Sequence, residues 1–384
     1  DYYNPSTLTR NNERIATPSG PYFITDAMSD EGIRQIRSHI TASSDRPFFS
    51  YVAYTAPHWP LHAHQTDTER YAGRFIDGWD RLRSQRLERM IDLGIIDPRW
   101  RLTDRDPCQP PWEEVKHKNW QQRRMEVYAA QIDRMDQGIG RILSALDHMG
   151  HLENTLIFFL SDNGGCAEEI DESWGAYLVG RIAHEETRDG RKVRFGNNPA
   201  ELPGGEDTYQ SYGAAWANLS NTPFREYKHW VHEGGIATPL IVHWPEGITD
   251  RDALRHQPAQ LPDIMATCLA AAGVPQPDSR DSYAVKPLEG FSMLPLEGFS
   301  MLPIFADADG LRAVLYWEHE GNRAVRKGRW KLVCKHPGDW ELYDMVEDRT
   351  ELKNLSSVHT EIVSELRGLY DTWAGRCSVR PWEK

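Results

Sequence analysis

The stretch TLIFFLSDNGG, residues 155–165, decides how the rest of the chain is read. Thr155 to Leu160 are all apolar or β-branched, too few for a helix and suited to a strand buried on both faces. The run stops at Ser161-Asp162-Asn163-Gly164-Gly165, so a carboxylate and an amide oxygen sit side by side where a buried strand meets solvent. In an open α/β sheet the crevice at the carboxyl ends of the strands is where ligands bind. Adjacent hard oxygen donors backed by two glycines suit calcium or magnesium. An Asx-turn closing the strand is the competing reading, because Asp, Asn and Gly are all turn formers.

Bulk properties narrow the classes. The 384 residues suffice for one large domain and a smaller one. Lys and Arg number 44 against 57 Asp and Glu, a net charge of −13 that argues against nucleic acid as a partner. Mean hydropathy is −0.64, and no apolar run approaches the roughly 20 residues of a membrane span. Cys108, Cys166, Cys268, Cys334 and Cys377 are scattered, with no C-x-x-C pair, so neither a cysteine-based zinc site nor a disulfide framework is expected. The chain opens at Asp1 without a signal-peptide pattern, and a processed or truncated protein is expected.

Working outward from the central strand, residues 119–149 form the strongest helix. Met125, Tyr128, Ile132, Met135, Ile139, Ile142, Leu143 and Leu146 mark one apolar stripe, and Gly150 stops it. A helix followed at once by a buried strand is the repeating unit of a doubly wound, mostly parallel sheet. Further upstream, Ser29 to Ile40 reads as an amphipathic helix, and PFFSYVAYT (47–55) as a second buried strand. The latter ends in Ala56-Pro57-His58-Trp59-Pro60, where a histidine between two prolines must lie on a stiff loop. His62 and His64 follow and invite a zinc reading, with a surface loop as the alternative. Residues 67–105 read as an exposed helical excursion, and 166–222 as a long irregular insertion of the kind that walls a site.

Downstream, ATPLIVHWP carries a further short strand (Pro239 to His243), and Asp263 to Ala272 a small helix. PLEGFSML occurs twice without a spacer, at 287–294 and 295–302. This is too short and too few for a solenoid; one copy is expected to dock its Phe and Met against the core and the other to bulge as loop. Beyond it, RAVLYWE, AVRKGRWKLV and WELYD alternate between Gly, Asn and Asp, which predicts an antiparallel sheet. A last amphipathic helix, about Thr360 to Trp373, would pack on that sheet. The expected division is a catalytic α/β domain at 1–304 and a C-terminal subdomain at 305–384.

In that order, FFSYVAYTAPHWP, FFLSDNGG, KHWVHEGGIATPLIVHWP, WKLV and ELYD resemble the type I sulfatases of the alkaline phosphatase superfamily, over roughly residues 45 to 373. The resemblance implies an alkaline phosphatase-like α/β fold and calcium-dependent hydrolysis of a small-molecule or glycan sulfate ester by a formylglycine nucleophile. It also points to a periplasmic or secreted location, with a cytoplasmic one as the alternative. Carried over residue by residue, Asp162 and Asn163 match metal ligands of the family, His58 the histidine that contacts the sulfate, and Lys228 the lysine that holds a sulfate oxygen. His232, next to Glu233, is a candidate second base. These roles fit the chemistry, since cleavage needs charge neutralised on the sulfate oxygens and a proton delivered to the leaving alcohol.

The sequence also departs from the family. It contains no Asp-Asp dipeptide for the other metal ligands, and no C/S-x-P-x-R motif from which formylglycine is made. Ser19-Gly20-Pro21 and Cys108-Gln109-Pro110 begin that motif but lack its arginine. The expectation is therefore a chain missing its N-terminal portion and inactive by itself. A phosphodiesterase or phosphonate hydrolase on the same scaffold, and an inactive remnant, stand as alternatives.

Overall fold

The structure, a computed structural model, describes all residues except 44, 276–278, 281–282, 285–287, 290–295, 298–299, 306–313 and 384. They form two compact units, residues 1–150 with 164–228, and residues 151–163 with 229–384. Residues 306–313, beside the boundary expected at 305, lie outside the described residues, as does most of the PLEGFSML repeat. Of the second copy, Met301 is buried and its N–H donates to Thr267 Oγ1 at 2.7 Å.

The first unit is built on two helices, Ile24–Ala42 and Lys118–His148. Ser29, Gly32 and Ile36 fall three or four residues apart and are buried, one face of the shorter helix. On the longer helix Gly138 has no room for a side chain: a Cβ there would lie 2.3 Å from Ser29 Oγ. The missing atom lets the two helices approach closely. Arg134 clamps Asp26 across the pair with two hydrogen bonds, 2.8 and 2.6 Å.

In the second unit the strand Ile157–Leu160 pairs with Leu240–His243, Ile157 opposite His243. Four strands, Val314–His319, Asn322–Lys327, Trp330–Cys334 and Trp340–Asp344, form an antiparallel sheet in chain order. Alternation sorts its residues onto two faces. Val325, Leu332 and Leu342 pack with Leu366 and Tyr370 of the helix Thr360–Arg376, while Ala324, Val333 and Tyr343 pack with Val231 and Met345. The small sheet with its covering helix is as the alternation predicts.

Three expectations need correction. Residues 47–55 are extended but belong to no strand, with Phe49 76 % and Tyr51 83 % exposed. A β-run becomes a strand only where a neighbour completes its ladder, and among the described residues none does. The long helix does lead into Ile157–Leu160, yet that strand's partner runs antiparallel. The α/β class stands, but among the described residues this pair does not supply the parallel arrangement expected of helix-then-strand. Thirdly, residues 166–222 are not wholly irregular: Trp174–Leu178 and Gly213–Ser220 are helical. Residues 67–105 contain the expected exposed helix, Gly78–Asp92. Among the described residues no helix is long and apolar enough to cross a membrane.

Candidate functional site

His58 sits where the sequence requires a stiff loop. Its N–H donates to Thr55 O at 3.0 Å, and its own carbonyl accepts from Tyr2 Oη at 2.7 Å and from Gln131 Nε2 at 3.3 Å. Tyr2 is almost wholly buried, so the clamp is anchored in the core while the imidazole stays exposed. Nδ1 lies 3.0 Å from Trp59 O. A carbonyl can only accept, so Nδ1 carries the proton and Nε2 presents its lone pair.

That lone pair meets Lys228, whose Nζ is 3.3 Å from His58 Nε2. The lysine backbone is tied to the glycine pair, with Lys228 N–H donating to Gly165 O at 3.1 Å. Gly165 N–H in turn donates to Asn221 Oδ1 at 2.7 Å. A Cβ on Gly165 would lie 2.6 Å from Tyr212 Oη, so the close approach needs glycine. Residues 170 apart are thereby joined in one corner of the first unit.

Glu168 completes this corner and was not singled out in the sequence. Its carboxylate accepts from Cys166 Sγ at 3.0 Å and from Trp59 Nε1, and lies 4.0 Å from Lys228 Nζ. It stands in an insertion without periodicity, and only its position two residues beyond Cys166 could have drawn attention. Burial pushes the Cys166 thiol up to about 12, which leaves it protonated and a poor nucleophile. His58, Cys166 and Glu168 could offer three ligand atoms to a metal, but the Lys228 ammonium already occupies the side of His58 that an ion would use.

Asp162 and Asn163 lie in the second unit, directly after Ile157–Leu160. Thr238 Oγ1 donates to Ser161 O at 2.9 Å and fixes the strand end. Asp162 is exposed and Asn163 half-buried. A carboxylate and an amide oxygen fit calcium in kind, but calcium takes six to eight oxygens. Among the described residues no group of three acidic, histidine or cysteine ligands includes Asp162. His232, also in the second unit, is completely buried as the N-cap residue of Glu233–Ile236, with Nε2 3.4 Å from Glu341 Oε2. A ring closed off in this way offers no face to solvent. His62, read as loop or zinc ligand, is a core histidine: Nε2 is 2.7 Å from Thr208 O, and burial holds its pKa down at about 3.

A family profile described as sulfatase matches residues 1–274, more than half of the chain. The chain belongs to the sulfatase family. A second profile, the C-terminal region of N-sulphoglucosamine sulphohydrolase, matches residues 225–371 of this sulfatase. It is 30 % identical over 370 residues to an uncharacterized sulfatase of Schizosaccharomyces pombe, covering 94 % of this chain and 63 % of that protein. To the arylsulfatase of Klebsiella aerogenes it is 32 % identical over 289 residues, 74 % of this chain and 58 % of that one. The chain thus spans about six-tenths of the length of these relatives. Its fold is shared with the crystal structure of Ps i-CgsB, at a TM-score of 0.61 and 19 % identity, over 97 % of this chain and 58 % of that chain. The alkaline phosphatase-like α/β expectation is met.

Proposed function

We propose that the protein hydrolyses sulfate esters as an arylsulfatase-like enzyme, with Lys228 and His58 contacting the sulfate. The observation that carries this is the 3.3 Å approach of Lys228 Nζ to His58 Nε2 on a loop clamped by Tyr2 and Gln131. A sulfate oxygen placed at this pair would exchange one weak contact for charge-assisted hydrogen bonds. As the ester bond lengthens, negative charge grows on the leaving oxygen. Lys228 balances charge on the sulfate, and His58, once protonated at Nε2, gives that proton to the leaving oxygen. Trp59 O, facing Nδ1–H, holds the ring in the orientation this needs. Asp162 and Asn163 would contribute oxygen ligands to a calcium ion, which when bound would supply electrophilic charge. Formylglycine and an Asp-Asp pair would come from sequence outside these 384 residues. In this reading residues 1–304 contribute to the catalytic domain.

The test is steady-state hydrolysis of 4-nitrophenyl sulfate by the full-length protein, beside 4-nitrophenyl phosphate and bis-4-nitrophenyl phosphate. A kcat/KM highest for the sulfate, and collapsing in Lys228→Ala, is expected. Preference for either phosphate ester would move the assignment to another hydrolase of the same fold.

A further inference from the structure

A second cluster of donor atoms lies in the other unit, unrelated to the corner just described. His229 Nδ1 is 3.2 Å from Glu320 Oε2 and 3.4 Å from His319 Nε2, and the three atoms all lie within 4.8 Å of one another. We propose that His229, His319 and Glu320 form a zinc-type divalent cation site.

Two of the three separations, both from His229 Nδ1, are those a metal would set. With Zn–N and Zn–O bonds of about 2.0–2.1 Å, neighbouring ligands of a tetrahedral ion stand about 3.3 Å apart. Both measured contacts bracket that value. A hydrogen-bond account of the same three atoms serves one of the two contacts well. His229 Nδ1 faces a carboxylate oxygen and a second imidazole nitrogen, and one ring N–H can point well at only one of them. Two imidazoles and a carboxylate are a donor set suited to zinc and its transition-metal neighbours, and a poor one for calcium.

The surrounding backbone is arranged to hold these side chains. His319 and Asn322 close a hairpin through Glu320 and Gly321, which have φ of +52° and +80°, as a two-residue type I′ turn requires. Glycine is at home there and glutamate is not. His229 is itself left-handed, with φ +88°, a conformation a non-glycine residue keeps only when its neighbours enforce it. Asn322 is that neighbour: Nδ2 donates to His229 O at 3.1 Å and to His319 O at 3.0 Å, so one amide ties both histidine-bearing backbones together. The rings lie 5.4 Å apart at 31°, open enough for an ion between their nitrogens. Half-burial of His229 and exposure of His319 and Glu320 leave the cluster open to an ion from solvent. A cation there would be structural, fixing the chain at His229, the residue that follows Lys228.

The test uses untagged full-length protein and Zn²⁺ alone, titrated against a chromophoric chelator. Parent, His319→Ala, Glu320→Gln and Cys166→Ser are compared at neutral pH, and melts are recorded with and without Zn²⁺. One equivalent of zinc should bind the parent and the Cys166 variant. In both hairpin variants that equivalent should bind at least tenfold more weakly, and the zinc-dependent rise in melting temperature should disappear. Glu320→Gln keeps the turn and its polarity, and decides the matter if His319→Ala does not fold. Equal zinc affinity and stoichiometry in parent and Glu320→Gln, or loss of the equivalent in Cys166→Ser alone, would overturn the site.

Discussion

Lys331 Nζ bridges two carboxylates in the interior of the second unit, 2.8 Å from Glu233 Oε1 and 2.8 Å from Glu351 Oε1, with all three side chains closed off from water. Arg349 Nε donates to the other oxygen of Glu233 at 2.9 Å, and Glu233 N–H donates to Glu351 Oε2 at 2.9 Å. Arg326 adds to the positive charge acting on Glu233. The network ties the Glu233-Gly234-Gly235 turn to the small sheet, since Lys331 lies on its third strand. Lys331→Met removes the cation that contacts both buried carboxylates. The expected loss is about 3–5 kcal/mol, the usual cost of breaking one side of a buried pair. Denaturant titration checks it, and a loss below about 1 kcal/mol would mean that water reaches the carboxylates.

Acid should unfold the protein early. Burial alone would raise the Glu233 pKa, but Lys331 and Arg349 overrule it and hold the group below the ordinary 4.5. Its contribution is therefore present above about pH 4.5 and lost as pH falls below that. His62 works in the same direction: with a folded pKa near 3 against 6.5 unfolded, the unfolded chain takes up its proton first. Stability from keeping His62 neutral is complete above about pH 6.5. It should decline by up to about 1.4 kcal/mol per pH unit between there and pH 3. Melts from pH 7.5 to 4 should fall steadily, and His62→Gln should flatten the upper part of that slope. A flat profile between pH 6.5 and 5 would contradict it.

Loss of Lys228 should fall on catalysis rather than on stability. Its ammonium is partly exposed and its carboxylate contact is 4.0 Å long, so Lys228→Ala should change stability by about 0.5 kcal/mol or less. In the full-length protein kcat/KM should drop by about two or more powers of ten. A His58→Ala variant should hurt sulfates of poor leaving groups more than activated aryl sulfates. Equal losses along a leaving-group series would assign His58 to positioning only.

Glu168 places a negative charge beside an anion site. Replacing it by Gln should tighten inhibition by inorganic sulfate about fivefold, on the scale of about 1 kcal/mol for charges some 4 Å apart in a solvent-rich setting. Unchanged or weaker sulfate inhibition would show that the carboxylate does not face the bound anion.

Cysteine labelling tests the burial of the thiol in the same corner. Cys108 and Cys377 are exposed, Cys334 is buried, and burial raises the Cys166 thiol to about 12. With iodoacetamide at pH 8, the first two should be modified quickly and Cys166 and Cys334 slowly, as peptide mass mapping will read. Rapid alkylation of Cys166 would mean an activated thiolate and contradict its burial.

Periodicity made the amphipathic elements legible. The helices at Ile24–Ala42 and Lys118–His148, the sheet from Val314 to Asp344 and the last helix lie close to where apolar spacing puts them. The helix Gly213–Ser220 carries no such signal because Ala215, Trp216, Ala217, Asn218 and Leu219 are all buried. A helix wrapped on every side shows no stripe. His62 misled for a related reason: its neighbours in sequence are loop-like, while Thr208, far along the chain, supplies its partner. Motif order pointed to His58, Lys228, Asp162 and Asn163, and local spacing alone would not have. Glu168 and the Asn322 clamp needed three dimensions, because their partners lie far from them in the chain.

The chain passes between its two units three times, after residues 150, 163 and 228. Cutting the gene between Lys228 and His229 would therefore not yield two self-sufficient fragments. The first would carry Ile157–Leu160 and the second its partner Leu240–His243, so each would expose an unmatched edge until the other supplied it.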